Sequence, residues 1–194
     1  MTRIVAGKWG GRRLATPAGE RTRPTSEKVR AALASSLTAT GGLEGARVLD
    51  LYAGSGALGL ELVSRGASSA VFVERDRAAL VALRSNVQTL GGSDPGAGLT
   101  VIPGEVTAFM AKAGHGSENV GPFDVVVADP PYDLGTDLLL SMLVALHRSS
   151  MLAAHADLIV ERSVKSGDQL WPEPLEGVRS RRYGDTLLCY GRAP

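Results

Sequence analysis

Three acidic residues stand where a sheet would present them to a ligand: Asp50 in "DLYAGSGALGLE" (50–61), Glu74 closing "AVFVE" (70–74), and Asp129 in "VVVADPPYD" (125–133). The last stretch runs three valines and an alanine into an aspartate, two prolines and a tyrosine. Two consecutive prolines offer no N–H to a β-ladder, so the strand must stop near Asp129. In an open parallel sheet, ligands gather outside the carboxyl ends of the strands, at the switch point. That rule predicts Asp129 beside the glycine turn, on one rim with Asp50 and Glu74.

The glycine turn supports two readings. Gly54-Ser55-Gly56-Ala57-Leu58-Gly59 is a literal G-x-G-x-x-G after a strand and before a helix, with Glu74 twenty residues beyond Gly54. This is the setting of a dinucleotide fingerprint and makes an NAD(P)-dependent oxidoreductase a rival. A pyrophosphate wants positive potential at the helix N-terminus, and Asp50, four residues before Gly54, opposes it. S-adenosylmethionine carries an ammonium, a sulfonium and a ribose but no phosphate, so Asp50 and Glu74 suit it better.

Asp129, Pro130 and Tyr132 fit the methylation of a nucleobase amine. Such an amine is a poor nucleophile because its lone pair is delocalised into the ring. A carboxylate (Asp129) and a fixed backbone carbonyl (Pro130), accepting its two hydrogens, would favour the pyramidal nitrogen that attacks. Tyr132 offers a flat face for an extruded base.

The elements that must hold these residues alternate. Strands are predicted over 47–52, 70–74, 99–104, 123–129 and 156–163, and helices over 57–66, 76–90, 105–114 and 134–150. Strand–helix alternation calls for right-handed βαβ units. The fold expected is α/β: a doubly wound, mostly parallel seven-stranded sheet closed by an antiparallel hairpin around Gly184-Asp185. Before it, "RIVAGKWGGRRLATP" (3–17) reads as a β-hairpin and "PTSEKVRAALASSL" (24–37) as a helix capped by Thr25 or Ser26. The expected division is a basic extension over 1–40 and a catalytic domain over 41–194, joined at "GGLEG".

Charge is distributed unevenly. Residues 1–30 hold eight Lys or Arg against Glu20 and Glu27, a net +6 within a chain of net +1, which leaves −5 for the rest. A basic arm on an acidic body points to a polyanionic partner. The candidate RNA-contacting residues are Arg3, Lys8, Trp9, Arg12, Arg13, Arg21, Arg23, Lys28 and Arg30, with Trp9 equally suited to anchoring the hairpin. Arg179, Arg181 and Arg182 either extend that surface or line a solvated edge strand. A single cysteine, Cys189, fits a reducing compartment and a buried strand position rather than a nucleophile. No apolar run approaches the roughly 18 residues that span a bilayer, and the first residues lack a signal-peptide core. A cytoplasmic monomer is expected. His115, His147 and His155 lack metal-ligand spacing, so no metal is expected.

"DLYAGSGALGLE", "VFVERD" and "VVVADPPYD" resemble the cofactor and amine-methylating motifs of class I S-adenosylmethionine-dependent methyltransferases. With "RIVAGKWGGRRLATP" and "TRPTSEKVRAALASSL" ahead of them, the chain resembles the RsmD family, bacterial enzymes that methylate a guanine N2 amine of small-subunit (16S) ribosomal RNA. The likeness runs from Arg3 to the final hairpin. It implies cofactor contacts from Asp50, Tyr52, Ala53, Gly54, Ser55 and Gly56, with Glu74 on the ribose. It implies Arg75, Glu105 and Val106 around the adenine, and an acceptor pocket of Asp129, Pro130 and Tyr132. "GEVTAF" departs from the family by carrying Glu105 where Asp is common, and the loop "GGSDPGAG" (91–98) has no assigned role. Adenine-N6 DNA methyltransferases and release-factor glutamine methyltransferases share the DPPY tetrapeptide and are the alternatives.

Overall fold

The computed structural model describes residues 2–17, 26–113, 121–131, 134–167 and 170–194. Arg21, Arg23, His115 and Tyr132, singled out above, lie outside them. A two-stranded ribbon, β1 (Thr2–Arg3) against β2 (Arg13–Leu14), is followed by α1 (Glu27–Ala39). The body then runs β3 (Arg47–Leu51), α2 (Ala57–Ser64), β4 (Ser69–Glu74), α3 (Arg77–Gly91), β5 (Gly98–Pro103), α4 (Val106–Ala113), β6 (Phe123–Ala128), α5 (Thr136–Arg148), β7 (Leu152–Ser163), β8 (Glu176–Tyr183) and β9 (Thr186–Arg192).

The seven body strands form one sheet in the order β5-β4-β3-β6-β7-β9-β8. The first five are parallel, and β9 and β8 close the edge antiparallel. The expected doubly wound architecture with a terminal hairpin is borne out. β3 and β6 are neighbours although β4 and β5 separate them in sequence, so the switch point falls between Leu51 and Ala128. β7 begins four residues earlier than the apolar run at 156 suggests, because Leu152 already pairs with Phe123.

The local signals that open α1 and α3 are the ones read from sequence. Ser26 accepts from the Val29 N–H at 3.2 Å and Asp76 from the Ala79 N–H at 2.8 Å. Each sheet face is covered by an apolar layer, as a parallel sheet requires. One layer gathers Val48, Phe72, Val127 and Ile159 with Leu60 of α2, Leu83 of α3 and Leu33 of α1. The other gathers Leu49, Val73, Val126 and Leu158 with Phe109 of α4 and Leu143 of α5. The N-terminal ribbon adds Ile4, Trp9 and Leu14 to the first layer. Among the described residues no helix is long and apolar enough to cross a membrane.

Candidate active site

The site is built where β3 ends. Tyr52 takes a left-handed backbone (φ 61°) and turns the chain out of the strand, a conformation that costs a non-glycine residue about 1 kcal/mol. Gly54 (φ 56°) and Gly56 (φ 78°) continue the turn and open α2. The glycines differ in purpose. A Cβ on Gly54 would meet nothing within 4 Å, whereas one on Gly56 would lie 2.4 Å from Leu83 Cδ1 and one on Gly59 2.6 Å from Phe72 Cε1. Gly54 therefore borders open space, and the other two let α2 pack tightly on the sheet.

Asp50 is 3% exposed, and its Oδ2 accepts from the Gly59 N–H at 2.9 Å. Its pKa is pushed up to about 7, chiefly by burial; the Gly59 N–H opposes the rise, while the charges of Asp129 and Glu74 reinforce it. Asp129 and Glu74 thus both act on Asp50 across the rim. Glu74 is also buried, and its carboxylate accepts from the Gly54 N–H (2.7 Å), the Arg75 N–H (2.8 Å) and the Asp76 N–H (2.7 Å). It thereby ties the end of β4 to the glycine turn. Beyond Ala128, the Asp129 N–H still donates to Leu51 O at 3.4 Å, which keeps Asp129 beside the turn. Asp129 is half-buried and Pro130 buried.

A second group lines the crevice on the β4–β5 side. Arg75 Nη1 meets Glu105 Oε1 at 3.0 Å, and both side chains are exposed. The Tyr52 hydroxyl donates to Met142 Sδ at 3.8 Å; its pKa is raised by burial and by Glu105, against Arg75. Val106, the first residue of α4, is in contrast buried in the second apolar layer.

This donor set fits S-adenosylmethionine and disfavours a dinucleotide. Asp50 already occupies an amide of the first turn of α2, the place a pyrophosphate would need, and a phosphate beside this carboxyl would meet repulsion whenever it is ionised. An Asp50 carboxyl that the charges of Asp129 and Glu74 disfavour as an anion instead gains from a cationic guest. A hollow of about 300 Å³ lined by Glu44, Asp124, His155 and Asp157 opens at the opposite, amino-terminal rim and is remote from these groups. Among the described residues no group of three or more His, Cys, Asp or Glu could hold a metal.

In the arm, Arg3, Lys8, Arg12, Arg13 and Lys28 are exposed. Two candidates are corrected. Trp9 is 4% exposed and packs into the first apolar layer as the ribbon's anchor, with Lys8 Nζ 4.9 Å above its ring. Arg30 is 1% exposed and donates through Nη2 to Arg3 O at 2.8 Å, fastening α1 to the ribbon. Neither presents its side chain to a partner. The loop with no assigned role holds the arm: Lys8 Nζ meets Asp94 Oδ2 at 2.7 Å, and Arg12 Nη2 donates to Ser93 Oγ at 3.4 Å.

A family model described as Conserved hypothetical protein 95 matches residues 2–192. Ribosomal RNA small subunit methyltransferase D of Escherichia coli (strain K12) is 36% identical over 165 residues, covering 85% of this chain and 76% of the relative. This chain belongs to the RsmD family. The Haemophilus influenzae relative of the same name is 37% identical over 130 residues, 67% of this chain and 63% of its own length. The solved structure of the Escherichia coli protein yhhF superimposes with a TM-score of 0.81 at 31% identity, covering 98% of this chain and 97% of that one. The fold is the Rossmann-like one of class I methyltransferases.

Three residues that fasten the arm to the body of this RsmD-family chain were missed in the sequence. Glu61 of α2 is fully buried and accepts from the Val5 N–H (2.7 Å), the Ala6 N–H (3.1 Å) and Arg65 Nε (2.7 Å). Ser64 Oγ accepts from the Trp9 N–H at 2.9 Å and donates to Ala6 O at 2.6 Å. Asn86 of α3 is 3% exposed and bonds both the arm and the glycine turn. A signal existed for Asn86: it falls on the apolar stripe of Ala79, Leu83 and Leu90, where a polar residue requires buried partners.

Proposed function

We propose that this chain transfers a methyl group from S-adenosylmethionine to the exocyclic N2 amine of a guanine in small-subunit ribosomal RNA. The observation that carries the reading is the convergence of Asp50, Glu74 and Asp129 on one rim beside the glycine turn. The relatives' names supply the substrate class.

S-adenosylmethionine supplies an electrophilic methyl on positively charged sulfur. Asp50 would hold its ammonium end, and Gly54, with open space beside it, would let the backbone approach closely. Glu74 uses three of a carboxylate's roughly four acceptor positions on backbone N–H groups, leaving room for one ribose hydroxyl without rearrangement. Arg75, Glu105 and the backbone of Val106 would border the adenine, on the side where Arg75 and Glu105 pair.

At the acceptor, Asp129 and the Pro130 carbonyl accept from the two N2 hydrogens and Tyr132 stacks on the base. The nitrogen lone pair forms the N–C bond as the C–S bond breaks, and the electron pair leaves with sulfur. The N2 proton, acidic once the lone pair is committed, passes to Asp129 or to water. Positioning supplies much of the rate. Residues 1–40 serve as the RNA-binding extension, through Arg3, Lys8, Arg12, Arg13 and Lys28 together with Arg21 and Arg23. The enzyme works as a monomer in the bacterial cytoplasm.

The test incubates the protein with methyl-labelled cofactor and separate pools of ribosomal RNA, small subunits, DNA and protein. Label in small-subunit RNA supports the reading. Label confined to DNA or protein replaces it with an adenine or glutamine methyltransferase, and no label in any pool removes it.

A further inference from the structure

The arm and the glycine turn are joined by one side chain. The Asn86 Oδ1 accepts from the Ala15 N–H at 2.7 Å, and its Nδ2 donates to Ala15 O at 3.0 Å. The same Nδ2 donates its second hydrogen to Ser55 O at 2.9 Å. Ala15 directly follows β2 and lies three residues before the 18–25 segment that carries Arg21 and Arg23. Ser55 stands between the two left-handed glycines of the turn. One buried amide therefore pairs with both backbone groups of the arm's exit and with the carbonyl at the centre of the turn.

The arm is also fixed to the far end of α2, the helix that the turn opens. Glu61 and Ser64 accept from the N–H groups of Val5, Ala6 and Trp9, and the Lys8 N–H donates to Ser64 O at 2.7 Å. Those bonds hold the arm without touching the turn. Among the described residues the turn itself has two side-chain ties, Glu74 to the Gly54 N–H and Asn86 to Ser55 O. Gly54, at φ 56° with open space beyond its Cα, has no side chain of its own to fix its position.

We propose that Asn86 is a positioning residue that couples the arm to the cofactor turn, so that RNA held by the arm tightens S-adenosylmethionine binding and the cofactor tightens RNA binding by the same factor. The reciprocity follows from linkage. RNA on the arm fixes Ala15; Ala15 fixes the amide plane of Asn86 through two bonds; the third bond fixes Ser55 and the turn. The proposal rests on the reading above for an arm that binds RNA and a turn that binds S-adenosylmethionine.

The experiment measures cofactor affinity by calorimetry with and without small-subunit ribosomal RNA, in the full chain and three variants. Asn86→Ala removes all three bonds. Asn86→Asp keeps the acceptor for the Ala15 N–H and loses both donors, cutting the turn from the arm. Ser64→Ala loosens the arm at α2 and leaves the turn's ties in place. Without RNA, Asn86→Ala and Asn86→Asp should weaken cofactor binding by about tenfold, the cost of losing one buried bond and stranding the Ser55 carbonyl. Ser64→Ala should leave cofactor affinity unchanged and weaken RNA binding. With RNA, the wild-type chain should bind cofactor several-fold more tightly, and both Asn86 variants should lose that gain. Thermal melts identify any variant that fails to fold, and Asn86→Asp stands in should Asn86→Ala not fold. The proposal is overturned if folded Asn86 variants bind cofactor as the wild type does, if they keep the RNA-dependent gain, or if the wild type binds the RNA and shows no gain. A wild-type chain that binds no ribosomal RNA would sink the functional reading, while the RNA-free comparison of Asn86 with Ser64 variants still decides whether Asn86 positions the turn.

Discussion

Replacing Asp50 with Asn should stabilise the ligand-free protein and weaken its hold on the cofactor, opposite signs from one atom-sized change. The Asp50 pKa rises from 3.8 to about 7, mainly because its charge is buried. At 1.36 kcal/mol per factor of ten, that rise corresponds to about 4 kcal/mol of destabilisation once the group is ionised in both states. Between these two pH values the folded chain keeps a proton that the unfolded chain has released, so stability falls as pH rises from about 4 to about 7. Asn stays neutral and can still accept from the Gly59 N–H, the 2.9 Å bond that Asp50 makes. The variant should therefore match the wild type near pH 4 and gain on it up to pH 7, with about 4 kcal/mol as the upper figure. For a chain of this size 1 kcal/mol moves the melting temperature by roughly 2–4 °C, so melts at pH 4, 6 and 8 resolve the effect. Cofactor affinity should fall by about 10- to 100-fold, the worth of a charge-assisted bond to an ammonium. A stability gap independent of pH, or unchanged cofactor affinity, would refute the role given to this carboxylate.

Gly54→Ala should fold at a cost of about 1 kcal/mol for its left-handed backbone yet bind cofactor poorly, because its methyl group enters the open crevice. Gly56→Ala should lose roughly 3 kcal/mol, the sum of that backbone cost and overpacking against Leu83, which a denaturant melt would register. Neutralising the exposed Arg12 and Arg13 together should lower RNA affinity and reduce the slope of log affinity against log salt by about 1.5, counting one phosphate per arginine. An unchanged slope would remove the arm from the RNA interface.

Much of this arrangement is legible in the sequence because a few residues admit only one backbone path. The prolines at 130 and 131 end β6, and the glycines at 54 and 56 take left-handed angles at the exit of β3. Parallel-sheet topology then brings Asp50 and Asp129 to one rim. What composition does not reveal is which way a charged residue faces. Arg30 and Glu61 carry charge on helices that could have faced solvent, yet both are buried because the ribbon closes over them. Trp9, surrounded by cations in sequence, anchors the ribbon since indole burial outweighs one more stacking surface. The 91–98 loop was silent because its partners, Lys8 and Arg12, lie more than 80 residues away along the chain.

The most direct test of the central claim uses Asp129→Ala with labelled cofactor and small-subunit ribosomal RNA, and reads the modified nucleoside by mass spectrometry. The wild-type chain should yield N2-methylguanosine, and the variant should bind the cofactor nearly as well while losing most turnover. A methyl group on any other atom, or near-normal turnover by the variant, would contradict the account.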